Sequence, residues 1–376
     1  MNAMNCILNL FLFLQIVSLG SADVVAVPPF NISKASILKY LSLDNITFDL
    51  PALYVFGDNF VDAGNNNYLH IPEIQSNYSP YGIDFGGKPT GRYTNGRTVA
   101  DFIAQFAGLP FPPPVLSLSK QDKRVPQTGL NYASGYSGIN WIYGKLWDQI
   151  PGLKEQVELF GKTRKKLQRQ FGCKQSFSNY MSKSLFFINT ITFDLDFAWG
   201  GMLYAYSEYY YSQLILKDLS DQLQTLYRLG ARKIVVNNAF PLGCQPHLNK
   251  GGDCYKGGNE RALFFNPMLS NFTKDLRSKL PGLQLVLVDL YKIFEDVFES
   301  PASYGFTQAK DPCCSQIEQL IAARCIANVE LCKDRNSYVF FDAINPTESM
   351  HFLWARRLLK DSTVSYPINL IQLIQS

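Results

Sequence analysis

The sequence predicts an α/β fold: a doubly wound, mostly parallel five-stranded sheet with helices on both faces, in three layers. Two observations predict it. Five short, mainly apolar runs at residues 52–56, 129–133, 184–190, 233–237 and 284–289 have strand length and read as strands buried on both faces. Segments with helical spacing alternate with them, and strands alternating with helices imply a parallel sheet with right-handed crossovers. No Pro-, Gly- or Ser-rich linker divides the chain. Its 376 residues therefore read as one domain over 50–376, preceded by a targeting segment at 1–22 and an arm at 23–49.

The targeting segment is an apolar run from Cys6 to Val17, broken only by Asn9 and Gln15, with small residues Gly20-Ser21-Ala22 for cleavage. It has no Lys or Arg before the run and falls short of the roughly 20 apolar residues that span a bilayer, so secretion is the expectation, to the extracellular space or an endomembrane lumen. No later stretch is apolar and long enough to span. The arm reads as loosely attached. Sequons at Asn31, Asn45, Asn77 and Asn271 suit the same route as glycosylation candidates.

After the first strand, Gly64-Asn65-Asn66-Asn67 reads as a polar loop, and 80–97 is dense in turn formers. Thr98–Phe106 suits a helix with Val99, Phe102, Ile103 and Phe106 on one side, stopped by Pro110. Pro151–Phe171 is amphipathic, with Leu153, Val157, Phe160 and Leu167 at helical spacing. Its basic stretch from Lys162 to Arg169 reads as a solvated surface rather than an anionic-partner site. Tyrosines from Tyr204 to Tyr211 read as a helix surface packed partly on the core, in preference to a sugar-stacking face. Further helices are expected through Leu219–Leu226 up to Gly230, over Glu260–Leu280 and around Ile293–Phe298. Asn345-Pro346-Thr347-Glu348 has the form of a helix start, with Asn as cap, Pro in the first turn and Glu three residues on.

Composition bounds function. Hydrophobic content of 47% and charge of 18% are those of an ordinary globular chain. A net charge of +4 leaves no footprint for nucleic acid. Cys313, Cys314, Cys325 and Cys332 crowd one segment and Cys244 lies near Cys254. In an oxidising compartment these read as disulfides, with three pairings open to the clustered four. Adjacent Cys313-Cys314 does not suit zinc-ligand spacing, and no metal or cofactor is expected. Cys173 is left over, as a free buried thiol.

Several blocks together carry a family resemblance. Leu53-Tyr54-Val55-Phe56-Gly57-Asp58-Asn59, Pro80-Tyr81-Gly82, Gly91–Gly96, Asn131–Gly138, Ile191–Asp194, Phe240–Pro246 and Asp342–Thr347 follow one another in the order found in plant-type GDSL esterases/lipases. The chain is similar to that family, part of the SGNH hydrolase superfamily, over nearly its whole mature length. The resemblance implies an SGNH/flavodoxin-like plan, a plant source, and hydrolysis of carboxylic esters of lipid or acetyl type. It also implies the site: a Ser nucleophile after the first strand, a backbone N–H from the second block, an Asn amide from the third, and an Asp and a His in the last.

At three of these places the residue differs. Asn59 stands at the nucleophile position, Phe193 replaces the oxyanion-binding Asn with Ile191 in place of its Gly, and Asn345 replaces the His. Gly135, as the backbone donor, and Asp342 are in place. An amide has no useful basicity near neutral pH. Loss of a triad Ser or His costs on the order of a million-fold in turnover, and loss of an oxyanion donor ~100- to 1,000-fold where the rest is intact. The expectation is a secreted, catalytically inactive relative whose remnant cleft holds an ester, acyl or glycan ligand, or whose surface holds a protein partner. The rival is an active hydrolase with rearranged residues, using Ser134 or Ser137 as nucleophile or His351 as base. His351, six positions after Asn345, is expected to point elsewhere, and neither serine has an evident base. Paired acids Asp58 and Asp342 suggest glycosidase chemistry, but burial or ion pairing is the commoner reason for such acids.

Overall fold

A computed structural model of the chain describes residues 26–43, 46–119, 121–122, 124–139, 149–197, 207–249, 252–317 and 323–376. The targeting segment, Asn45, Tyr204 and Tyr206 lie outside the described residues. Strands β1 (Leu53–Gly57), β2 (Gly129–Asn131), β3 (Leu185–Asn189), β4 (Lys233–Asn237) and β5 (Gln284–Val288) form the parallel part of one sheet, in the order β2-β1-β3-β4-β5. In β1, β2, β3 and β4 every residue is buried, as a parallel sheet covered on both faces requires. The register sets Leu53 beside Leu185 and Gly57 beside Asn189, so β1 and β3 end level.

The sheet has six strands rather than the expected five. Ser365–Tyr366 (β8) adds to the edge antiparallel to β5. Two residues carry no periodicity, so no local pattern marks them. A second, two-stranded sheet pairs Gln308–Pro312 (β6) with Tyr338–Phe340 (β7).

Eleven helices among the described residues are labelled in chain order. They are α1 (Lys34–Tyr40), α2 (Val99–Ala107), α3 (Leu153–Gln170), α4 (Lys174–Lys183), α5 (Ile191–Phe197), α6 (Glu208–Arg228), α7 (Pro246–Asn249), α8 (Lys256–Lys279), α9 (Leu290–Glu299), α10 (Glu348–Lys360) and α11 (Leu370–Gln375). Local chemistry bounds them. Thr98 and Asp101 form a reciprocal capping box at α2, which ends at Gly108 in the left-handed region. Helix α6 presents Tyr209 and Tyr210 to solvent and buries Tyr211, the mixed surface its spacing suggested. None of the described helices is long and apolar enough to cross a membrane.

Four expectations are corrected. Helix α10 is capped by Thr347, whose side chain accepts from Met350 N–H, and not by Asn345. The Asn345 side chain is drawn instead to Asn59 and Asp342, and its carbonyl accepts from Phe341 N–H, so the helix starts later. The segment before β1 is not loose: α1 buries Ile37 and Leu38, and Phe48 and Leu50 join the core. Arg97 reaches back to the carbonyl of Pro28 (2.6 Å). The asparagines after β1 are not a solvated loop, since Asn65 and Asn66 are buried in a 3-10 turn. Cys173 is exposed rather than buried.

Three disulfides join Cys244 to Cys254, Cys313 to Cys332 and Cys314 to Cys325. The last two nest one inside the other and pack against Tyr81 and Phe341. Backbone bonds from Ala343 N–H to Ala323 O, from Cys313 N–H to Phe340 O and from Cys314 N–H to Phe341 O fix the cysteine segment to the last block and the strand before it. Asn31, Asn77 and Asn271 are all exposed.

Candidate active site

In a doubly wound sheet, ligands bind beyond the carboxyl ends of the strands, at the point where strand order reverses. Here that point lies beyond the ends of β1 and β3. At the end of β1, Gly57 has φ +144°, and a Cβ there would lie 1.8 Å from the Asn189 carbonyl oxygen. Only glycine lets β1 end this close to β3. Asp58 N–H donates to that same carbonyl, and Asn59 follows at the mouth, 4% exposed.

The last block meets it from the turn just before α10. The Asn59 amide donates to Asn345 Oδ1. Asn345 Nδ2 in turn donates to both oxygens of Asp342, at 3.0 and 2.9 Å. Asp342 also accepts from Asn345 N–H (2.6 Å), Ile344 N–H (2.9 Å) and Tyr81 Oη–H (2.7 Å). Burial raises its carboxyl above the usual range, against the pull of these donors. The three residues thus line up as acid, bridge and mouth residue. An imidazole in a serine triad donates to its acid and accepts from its nucleophile. The Asn345 amide has the same polarity at both ends, but it has no lone pair basic enough to take a proton and nothing beside it to ionise.

The second and third blocks close the other side. Gly135 N–H donates to Asp62 Oδ2 at 3.0 Å, so this backbone donor is already bonded to a buried carboxylate. A Cβ on Gly135 would sit 2.3 Å from Tyr93 Oη. The next residue, Tyr136, has φ +65°, a strained conformation for a side chain of that size. Its ring packs edge-on against Phe193 (5.6 Å) and Tyr93 (5.8 Å). Ile71, Ile74 and Ile150 complete this apolar cluster. An aromatic wall thus stands where the resemblance places an oxyanion-binding amide. Asp194 accepts from Ile139 N–H with both oxygens.

The alternative nucleophiles are bonded elsewhere. Ser134 Oγ–H donates to Asn66 Oδ1. Ser137 Oγ–H donates to the Gly57 carbonyl (2.7 Å) and its oxygen accepts from Gln156 Nε2 (3.1 Å). His351 Nδ1 accepts from Val99 N–H and its ring stacks on Trp354. Burial lowers its pKa to about 3, which keeps it neutral. Asp58 Oδ1 accepts from Phe60 N–H and Asn189 Nδ2, while Oδ2 is buried without a partner among the described residues. Burial pushes Asp58 up to about 7 and Asp62 up to about 6.

Sequence reasoning missed several supporting residues. Tyr81 lay inside a motif already noted, so its closeness to Asp342 had a signal. Gln156 brackets Gly57, accepting from its N–H and donating to its carbonyl, and nothing local marks it. Asp62 receives the Gly64, Asn65 and Gly135 amides.

A mostly parallel sheet with Asn59 after β1 brought against the Asp342 block before α10 has the plan of the SGNH class of α/β hydrolases. The chain belongs to the GDSL-like lipase/acylhydrolase family, whose model matches residues 53–358. It is similar to GDSL esterase/lipase 7 of Arabidopsis thaliana, 36% identical over 337 residues, covering 86% of this chain and 92% of that protein. Two further Arabidopsis thaliana relatives are GDSL esterase/lipase At4g16230, 37% identical over 339 residues (86% and 91% covered), and GDSL esterase/lipase At5g37690, 34% identical over 315 residues (81% and 87% covered).

Proposed function

We propose that this chain is a secreted, catalytically inactive member of its ester-hydrolase family, with a binding rather than a hydrolytic role. The observation that carries the reading is the Asn59–Asn345–Asp342 chain of hydrogen bonds. It supplies the polarity of a triad without a hydroxyl to attack or a base to free one. The oxyanion side supports it, with Gly135 N–H bonded to Asp62 and Phe193 packed on Tyr136. The bonded hydroxyls of Ser134 and Ser137 weigh against a relocated nucleophile. Three disulfides and exposed Asn31, Asn77 and Asn271 support passage through an oxidising, glycosylating compartment. An ester, acyl or glycan ligand, or a protein partner, is what a binding role leaves open to this scaffold.

The test is covalent labelling with a serine-directed fluorophosphonate beside turnover of short-chain aryl esters. The purified protein is expected to stay unlabelled and to match buffer. Labelling at Ser134 or Ser137, lost on changing that serine, overturns the reading. Asn59→Ser, Asn345→His and Phe193→Asn combined are expected to bring labelling back at position 59. Asn59→Ser alone is expected to remain silent, because its hydroxyl would still face an amide.

A further inference from the structure

We propose that the outer face at the carboxyl end of α3 is a docking surface for a linear polyanionic polysaccharide bearing carboxylate or sulfate groups. Lys162, Lys165, Lys166 and Arg169 recur at the three- and four-residue spacing that sets side chains on one helix face. The chain segment beside them adds to the same face: Lys166 Nζ donates to the Asp122 carbonyl (3.0 Å), and Gln170 and Val125 exchange hydrogen bonds, bringing in exposed Arg124. Exposed Lys174 continues it at the start of α4.

Charge segregation marks this face. On this face Arg124, Lys162, Lys165, Lys166, Arg169 and Lys174 stand with one acid, Asp122, a net +5 in a chain whose total is +4. The remainder of the chain is therefore net −1. None of Lys162, Lys165, Lys166, Arg169, Lys174 or Arg124 has a carboxylate partner among the described residues. Most exposed lysines that do have one sit in ordinary pairs four residues apart, as in Lys217–Asp221, Lys256–Glu260 and Lys279–Asp275. Helix polarity accounts for only part of the pattern. It favours Arg169 in the last turn of α3, but Lys174 opens α4 with no acid in its first turn, against the dipole.

The shape of the face selects the partner. Its cations are spread over two helical turns, about 11 Å along the axis, which suits a chain of repeated charges. It offers no apolar anchor for a membrane: Phe171 packs on Phe177 and Tyr180 at 5.4 and 4.6 Å. The guanidinium of Arg164 is turned inward, donating to the Leu229 carbonyl and lying over Phe177. The choice of a polysaccharide over other polyanions rests on the extracellular setting proposed above. Along α3 the face runs from about 9 Å to about 20 Å beyond Gln156, which brackets Gly57. Binding here and silence at the cleft can therefore fail independently.

The test is titration of the full mature protein with polygalacturonate, with its fully methyl-esterified form, and with phosphatidylserine-containing vesicles. The variant Lys162→Glu/Lys165→Glu/Arg169→Glu is compared with Lys217→Glu/Lys256→Glu/Lys279→Glu, an equal charge change elsewhere. Both sets of positions are exposed, so unchanged unfolding midpoints check that both variants fold. The expected result is binding to polygalacturonate that weakens about tenfold or more between about 50 and 200 mM salt. The first variant should lose about tenfold or more, the second little, and the esterified form should not bind. No binding to polygalacturonate, equal loss in both variants, equal binding of the neutral form, or binding to vesicles alone overturns the proposal.

Discussion

Asn345 is bonded at both ends of its side chain and at its backbone, and each bond goes to a buried group. Truncation to Ala removes the acceptor of the Asn59 amide and two donors to Asp342 at once. An unsatisfied buried polar group costs about 1–3 kcal/mol, so Asn345→Ala is expected to lower stability by that order. Urea unfolding measures it, and an unchanged midpoint would show that the chain of bonds contributes nothing to folding. Asn345→His keeps a donor toward Asp342 and an acceptor toward Asn59, and is expected to cost less than the Ala variant. Phe193 follows the same logic on the other wall, where it packs edge-on against Tyr136. Asn59, Phe193 and Asn345 are part of the packing and the hydrogen-bond network, which holds this end of the sheet in form.

Among the elements, α10 separates two roles that the sequence had placed on one residue. Asn345 has the composition of a cap, yet Thr347 performs it. Thr347→Ala is expected to cost about 1 kcal/mol with no effect on the cleft, read as a shift in unfolding midpoint. The cysteine segment is the other element-scale device. Its two bridges, Cys313–Cys332 and Cys314–Cys325, pack against Phe341 and Tyr81. Tyr81 Oη accepts from Cys325 N–H while donating to Asp342, so the segment braces the last block. Changing both Cys314 and Cys325 to Ser is expected to cost about 2–4 kcal/mol. Limited proteolysis should then cut first between residues 313 and 332, and cutting elsewhere first would contradict that bracing.

Over the whole molecule, buried acids set the response to pH. Asp58 and Asp62 are raised by burial to about 7 and about 6, so the folded chain holds protons that the unfolded chain releases above about 4. His351, lowered by burial to about 3, acts in the opposite sense below about 6.5 and offsets one of them. The balance from about pH 4 to 6 favours the folded state at the acid end. Stability is therefore expected to fall as pH rises through that window and then to level off. Below about pH 4, Asp84, Asp101 and Asp361 lose their advantage. Arg335 beside Asp84, Arg92 beside Asp101, and the Thr363 hydrogen bonds followed by Arg357 at Asp361 hold them below the usual range despite burial. Urea midpoints measured from pH 3.5 to 8 should therefore peak near pH 4–5, and a maximum above 7 would contradict the assignment.

The sequence by itself determined the class of fold, the order of the parallel strands along the chain, and that amides stand at positions 59 and 345 and an aromatic ring at 193. Those are local facts: an apolar run of five or six residues in a turn-rich setting reads as a buried strand wherever it lies, and an amide at position 345 lacks a basic nitrogen in any conformation. Only the tertiary structure decided which cysteines pair, that Thr347 rather than Asn345 caps α10, and that the segment before β1 is packed. It also decided that Asn65 and Asn66 are buried, that a two-residue edge strand joins the sheet, and that Gly135 N–H is bonded to Asp62. The burial, the edge pairing and the Gly135 bond depend on partners scores of residues away, and the bridges, though only 10, 19 and 11 residues long, depend on how the fold turns adjacent Cys313 and Cys314. A side chain with several possible hydrogen-bond partners is settled by whichever arrives within reach once the core has closed, and no local pattern records that choice.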